Sequence, residues 1–161
     1  MNSSIRELIT QLKEQPEPIS SRTYPLSKTY QLDKQLRQFN YFVLYLLEFI
    51  DKNNKRRAYT GFTNGLQSRT SGHASAIFSK KANKHMLEAF QLSGSLPTVK
   101  VLMVSRDKEK ILEAETKAVG KLEQLEFEGV IVKCINISKR QYEYTVDTTP
   151  FDDASADERR R

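Results

Sequence analysis

The fragment YTGFTNGLQSRTSGH holds a tyrosine, an arginine and a histidine in close succession, at Tyr59, Arg69 and His73. Each residue type has a task in cleaving a phosphodiester. A guanidinium forks onto phosphate oxygens, an imidazole moves protons near neutral pH, and a phenol can give or take a proton. Helical geometry over LQSRTSGH would put Arg69 and His73, four residues apart, on one face. Singly, a strand tyrosine, a surface arginine and a lone histidine are ordinary. It is their combination that points to chemistry on phosphate.

The elements that must position these groups can be read from periodicity. Tyr41 to Ile50, YFVLYLLEFI, is apolar almost throughout and reads as a strand buried on both faces. After the polar turn DKNNKRR, Arg57 to Thr63 reads as a second strand, so the pair forms an antiparallel hairpin. Gly61 within it lets another group approach the backbone closely. LQSRTSGH then reads as a short helix and Lys80 to Leu92 as a longer one, ended by Gly94 and Pro97. Val99 to Ser105 is a third strand. Asp107 caps a long helix whose apolar side runs through Ile111, Ala114, Ala118 and Leu122, and Val130 to Ile137 is a last strand. At the front, Ile5, Leu8, Ile9 and Leu12 define an amphipathic helix from Ser4 to about Gln15. PISSRTYPLSKTYQLDKQL reads as an irregular arm over the core, with no role apparent. The expected class is α+β: a small central sheet with an antiparallel hairpin, flanked by helices, plus the N-terminal helix and arm. The expected division is residues 1–40 for helix and arm, 41–138 for the core domain and 139–161 for a polar, disordered tail.

Composition narrows the classes. The 161 residues suit one ordinary domain. No apolar run approaches the roughly 18 residues that span a bilayer, and no signal-peptide core is present, so a cytoplasmic or nucleoid-associated protein that meets no membrane is expected. The single cysteine, Cys134, excludes an internal disulfide and a cysteine-cluster zinc site, and its apolar surroundings read as core. A net charge of +6 and a pI near 9.4 favour a polyanionic partner. Lys52, Lys55, Arg56, Arg57, Arg69, Lys80, Lys81 and Lys84 gather in the middle of the chain. His85, beside Met86 and Ala89 on the second helix, reads as packing or surface.

Tyr59, Gly61, Thr63, Leu66, Arg69 and His73 together resemble the second motif of the GIY-YIG nucleases, Tyr-x-Gly-x-Thr followed by Leu, Arg and His, without a gap. Tyr45 in VLYLLEF resembles the tyrosine of the first motif, with Val43 and Leu44 in place of the usual glycine and isoleucine. Glu115 in AETKAV is similar to the family's metal-binding glutamate. The resemblance runs from about Tyr41 to Leu122 and leaves both ends uncovered.

It implies a nuclease that hydrolyses DNA phosphodiesters, with Glu115 holding one divalent cation, Mg²⁺ or Mn²⁺. Magnesium suits a single carboxylate, because it keeps its waters and takes phosphate oxygens as further ligands. Glu113 is the rival, but two residues along a helix it points roughly 200° away. The resemblance further implies that Tyr45 deprotonates the attacking water with Tyr59 close by, that His73 takes the phenolic proton, and that Arg69 stabilises the charge on phosphate. The family's asparagine is missing, since Phe127 stands in its place; Asn136 either substitutes for it or satisfies backbone groups there. DNA, double-stranded or branched, is the expected substrate, and the N-terminal region is expected to contact DNA, a second copy or a partner protein. Two readings stay open beside it: an inactive nucleic-acid-binding module, and a subunit active only in a complex.

Overall fold

The computed structural model describes residues 3–22 and 27–136. The expected tail at 139–161 lies outside the described residues. In chain order the elements are α1 (Ser3–Glu14), β1 (Glu17–Pro18), α2 (Lys28–Leu36), a single 3₁₀ turn (Arg37–Phe39), β2 (Phe42–Ile50) and β3 (Arg56–Thr63). After these come α3 (Leu66–Phe78), α4 (Lys84–Ser93), β4 (Thr98–Ser105), α5 (Lys108–Phe127) and β5 (Lys133–Cys134). The class is α+β, with a five-stranded mixed sheet ordered β1-β4-β2-β3-β5.

The hairpin forms as its pattern requires. β2 and β3 pair antiparallel in unbroken register, Tyr45 opposite Gly61 and Leu47 opposite Tyr59. Asp51 closes the turn: its carboxylate accepts from the amides of Asn53 and Lys55 and pairs with Arg57 at 2.9 Å. Arg57 is therefore committed to the fold rather than offered to a polyanion, and Arg56 pairs with Glu48 at 3.5 Å.

Alternation along β2 sends Val43, Tyr45, Leu47 and Phe49 into one core with residues of α1, α2, α3 and α4. Leu44 and Leu46 face the other side, where Ile111 and Leu122 of α5 pack with Phe62 and Ala58 of β3. The helices thus form two layers, with the sheet between them and α5 alone on its side.

Two readings need correction. The segment taken as an irregular arm contains α2, whose N-cap Ser27 accepts from the Tyr30 amide and whose Leu32 and Leu36 are buried. Pro18, Pro25 and the serines masked this periodicity, which spans barely two turns. The last strand, expected over Val130 to Ile137, is reduced to the two residues of β5, parallel to β3. Val130 and Val132 are exposed, because α5 runs on to Phe127 and the chain must turn back before it meets the sheet. Smaller shifts leave α4 starting at Lys84, capped by Asn83, and extend α3 to Phe78.

Ile5, Leu8, Leu12 and Leu32 share one core cluster with Val43, Leu47 and Val99, so residues before Tyr41 belong to the same packed unit as the sheet. Leu12 is fully buried. Leu12→Ala is expected to lower stability by about 2–5 kcal/mol, the range for a buried leucine truncated to alanine. Denaturant unfolding checks it, and a loss under about 0.5 kcal/mol, typical of surface substitutions, would mean that α1 is an appendage.

Candidate active site

Tyr45 stands near the middle of β2 on the face toward α3, and Tyr59 lies on the neighbouring strand, two residue pairs along. Their rings lie 6.3 Å apart. Between them Gly61 carries no side chain, and a Cβ there would come within 2.9 Å of the Tyr45 hydroxyl oxygen and 3.2 Å of Tyr59 Cε1. The glycine is what allows the Tyr45 phenol to lie across β3. Thr60, on the opposite face, donates its hydroxyl to the Tyr45 carbonyl at 2.8 Å and fastens the two strands at this point.

α3 runs directly out of β3, and its pitch brings Arg69 and His73 over the same spot. His73 Nε2 is 2.7 Å from the Tyr45 hydroxyl, and its ring sits 5.1 Å from that of Tyr59. The Arg69 charge lies close enough to both phenols to favour their ionised forms. A His73 ring with its proton on Nδ1 accepts the Tyr45 proton at Nε2, and a ring with its proton on Nε2 donates to the Tyr45 oxygen.

Burial governs the protonation states. It lifts the Tyr45 phenol well above its ordinary value, the neighbouring Tyr59 adds to this, and Arg69 opposes it. Tyr59 is also raised, first by burial; Arg69 pulls it back, and the negative charge of Glu115 pushes it up. His73 is held down to about 3 by burial and then by the Arg69 charge. At neutral pH the site holds two protonated phenols, a neutral imidazole and a fixed cation.

Glu115 comes from the other layer. It lines up with Ile111, Val119 and Leu122 on the buried side of α5 and is only 2% exposed. Its rival Glu113 is solvent-exposed and pairs with Lys117 at 3.4 Å. Tyr45, Tyr59, Arg69 and His73 are in direct contact, whereas Glu115 is tied to them through its charge on Tyr59.

Asn136 resolves the other way. Its amide accepts from Thr60 N at 2.9 Å and donates to Thr60 O at 2.7 Å, taking the place of a strand residue beyond β5 and satisfying the edge of β3. Phe127 projects into solvent at 92% exposure. His85 is half-exposed among Lys84, Lys133, Glu88 and Glu126, outside the cluster. Cys134 is buried, and its thiol is pushed up to about 11, chiefly by burial, so it is inert at neutral pH.

Sequence reading missed the supports of α3. Asp33 of α2 accepts from the Leu66 and Gln67 amides at its first turn, and Gln67, 7% exposed, is held by Ser27, Thr29 and the Arg22 carbonyl. No local motif announces a cap supplied from more than thirty residues away. A cavity of about 360 Å³ lies along this seam, lined by Tyr30, Asp33, Arg37, Asn64 and Ser68, and contains none of the five candidate groups.

The donor chemistry suits a hard cation better than zinc. Glu115 offers one carboxylate, His73 Nε2 is engaged by Tyr45, and no cluster of three or more His, Cys, Asp or Glu that could hold a metal occurs among the described residues. Zinc sites use three or four such ligands, whereas magnesium is held by one or two carboxylates with water and phosphate. No helix among the described residues is long and apolar enough to cross a membrane. Compared with protein-family models, with curated proteins and with solved structures, the chain has no match.

Gly61→Ala is expected to displace the Tyr45 hydroxyl from His73 and to cost about 1–3 kcal/mol, as overpacking of a tight site does. Thermal denaturation measures the cost, and an unchanged melting temperature would contradict the close approach.

Acid stability gives a second check. The folded-state value of His73, about 3, is depressed below the ordinary 6.5, so the unfolded chain binds a proton that the folded chain refuses. The stability from keeping this ring neutral is complete above 6.5 and is lost as pH falls toward 3. His73→Gln is expected to flatten the decline in stability across that window. An equally steep decline in wild type and variant, measured by urea unfolding at pH 7, 5.5 and 4, would count against a buried neutral His73.

Proposed function

We propose that this chain is a metal-dependent endonuclease that hydrolyses phosphodiesters of double-stranded or branched DNA, with a fold and site like those of the GIY-YIG nucleases. The observation that carries the reading is one contact set: two un-ionised phenols, a neutral imidazole and an arginine, converging from β2, β3 and α3. Structural cores gain little from it. A half-buried guanidinium set against neutral phenols gains most when an anion joins it.

The scissile phosphate enters on the side of Arg69, the half-buried member of the set. There it takes the guanidinium donors of Arg69. Its negative charge offsets the Arg69 charge that helps hold His73 down, so the basicity of His73 rises when substrate is in place. Tyr45 then takes a proton from the attacking water as it passes its own to Nε2 of His73. The water oxygen bonds to phosphorus as the bond to the leaving oxygen breaks; the leaving oxygen takes a proton from solvent water, and His73 returns the proton it gained to solvent. Arg69 stabilises the charge that gathers on the phosphate oxygens, and Tyr59 keeps Tyr45 in place. Glu115 would hold the Mg²⁺ or Mn²⁺. Lewis-acid neutralisation of phosphate charge is what a bound divalent cation supplies there. Because Glu115 is 2% exposed, loading requires the side chains over it to yield.

Supercoiled plasmid is expected to be nicked by the full chain with Mg²⁺ or Mn²⁺. Arg69→Ala is expected to lose at least about a hundredfold in rate, the scale of removing one preorganised donor to a developing oxyanion. Glu115→Gln is expected to lose both nicking and the rise in melting temperature that the metal gives wild type. Unchanged nicking by both variants would remove the site assignment. Wild type that binds DNA but cuts no single-stranded, duplex or branched substrate in any divalent metal would establish a binding module instead.

A further inference from the structure

α3 lacks a cap of its own. α2, α4 and α5 each begin at a residue whose side chain accepts from the first-turn amides: Ser27, Asn83 and Asp107. α3 begins at Gly65, which has no side chain to do so, and no acidic residue stands in its first turn. Yet α3 carries both Arg69 and His73.

The missing cap comes from α2. Asp33 Oδ1 accepts from Leu66 N at 2.9 Å and Oδ2 from Gln67 N at 2.6 Å, so one carboxylate takes two of the four amides a helix start leaves unpaired. Burial pushes the Asp33 carboxyl above its ordinary value, while those two amides and the Arg37 charge pull it down. α2 is anchored in turn. Glu17 of β1 accepts from Lys28 N and Thr29 N at 3.2 and 3.0 Å, and β1 pairs with β4. Ser71 adds a tie from α3 back to the chain after β1, donating to the Ser20 carbonyl at 3.1 Å. A continuous line of contacts therefore runs from β4 through Glu17, α2 and Asp33 to the turn just before Arg69.

We propose that Asp33 is a positioning residue that sets the placement of α3, and through it that of Arg69 against Tyr45 and Tyr59 and of His73 against Tyr45. The part of this that concerns catalysis rests on reading those four as the working groups. A carboxylate gripping two successive amides restrains both the axial position and the rotation of the first turn. Arg69 lies within one turn of that grip, and its own amide bonds back to Gly65 O at 2.9 Å. The segment before β2 is then part of the active-site scaffold, which explains why its polar residues converge on Leu66, Gln67 and Ser71.

The test uses the full chain with Asp33→Ala, alone and combined with Gly65→Asp. The second change restores a carboxylate at the local cap position. Gly65 accepts a side chain, because its φ is −146° and a Cβ there meets only Ser68 Cβ at 3.9 Å. At a temperature where every variant is fully folded, Asp33→Ala is expected to lower kcat for plasmid nicking about tenfold, with KM within about twofold, and the double variant to recover most of it. The His73 imidazole NMR signals are expected to move in Asp33→Ala and to return in the double variant. Lower melting temperature with unchanged kcat and unchanged His73 signals would reduce Asp33 to an ordinary stabilising cap and overturn the proposal. Loss of kcat without recovery by Gly65→Asp would also overturn it, since the capping carboxylate would not be the cause. If wild type cuts nothing, the nuclease reading fails by itself, and the His73 signals decide alone: displacement and recovery support positioning by Asp33, and immobility refutes it.

Discussion

The hydrogen bond between the Tyr45 hydroxyl and His73 Nε2 is the contact on which the arrangement turns. It joins β2 to α3 at 2.7 Å in a place with little access to solvent, Tyr45 being fully buried and His73 8% exposed. An unmade hydrogen bond there would cost each group its desolvation. That penalty drives the rest: Gly61 must be bare, α3 must leave β3 at once, and its first turn must be held from outside. Arg69 adds a second constraint, since its charge joins burial, the larger cause, in keeping His73 neutral.

Two layers meet at this point with different duties. The face carrying α1 to α4 supplies the proton-bearing groups and their supports, and the α5 face supplies the acidic one. Glu115 is placed by the same stripe that packs Ile111 and Leu122 against the sheet. Its position is thus set by hydrophobic spacing along α5 and not by a loop. Catalytic groups held on helices and strands, each locked by packing, are more accurately placed than groups on flexible connections. Among these groups Arg69 is the most exposed.

Much of this was legible in the sequence where one element determines its own geometry. The apolar run of β2, the hairpin turn, the four-residue spacing of Arg69 and His73 and the Asp107 cap are local signals, and the structure follows them. Gly61 was readable as a point of close approach, although what approaches it was not. The failures are non-local. α2 is short, broken up by polar residues and stabilised by Glu17 and by docking on α3, so its own residues carry little helical signal. β5 has the composition of a strand, but only Lys133 and Cys134 form strand pairs with β3; the Val132 and Ile135 amides bond to it from either side, and Asn136 finishes the edge with a side chain. The burial of Glu115 was not legible from its immediate neighbours Ala114 and Thr116, which say nothing of the turn above it and the turn below.

The central claim is a buried, neutral His73 that accepts the Tyr45 proton, and ¹⁵N NMR of the two histidines measures it directly. At pH 5 the account predicts that His73 remains neutral, with an unprotonated Nε2 and a slowly exchanging Tyr45 hydroxyl proton. A His73 that is protonated at pH 5, or that carries its proton on Nε2, would contradict it.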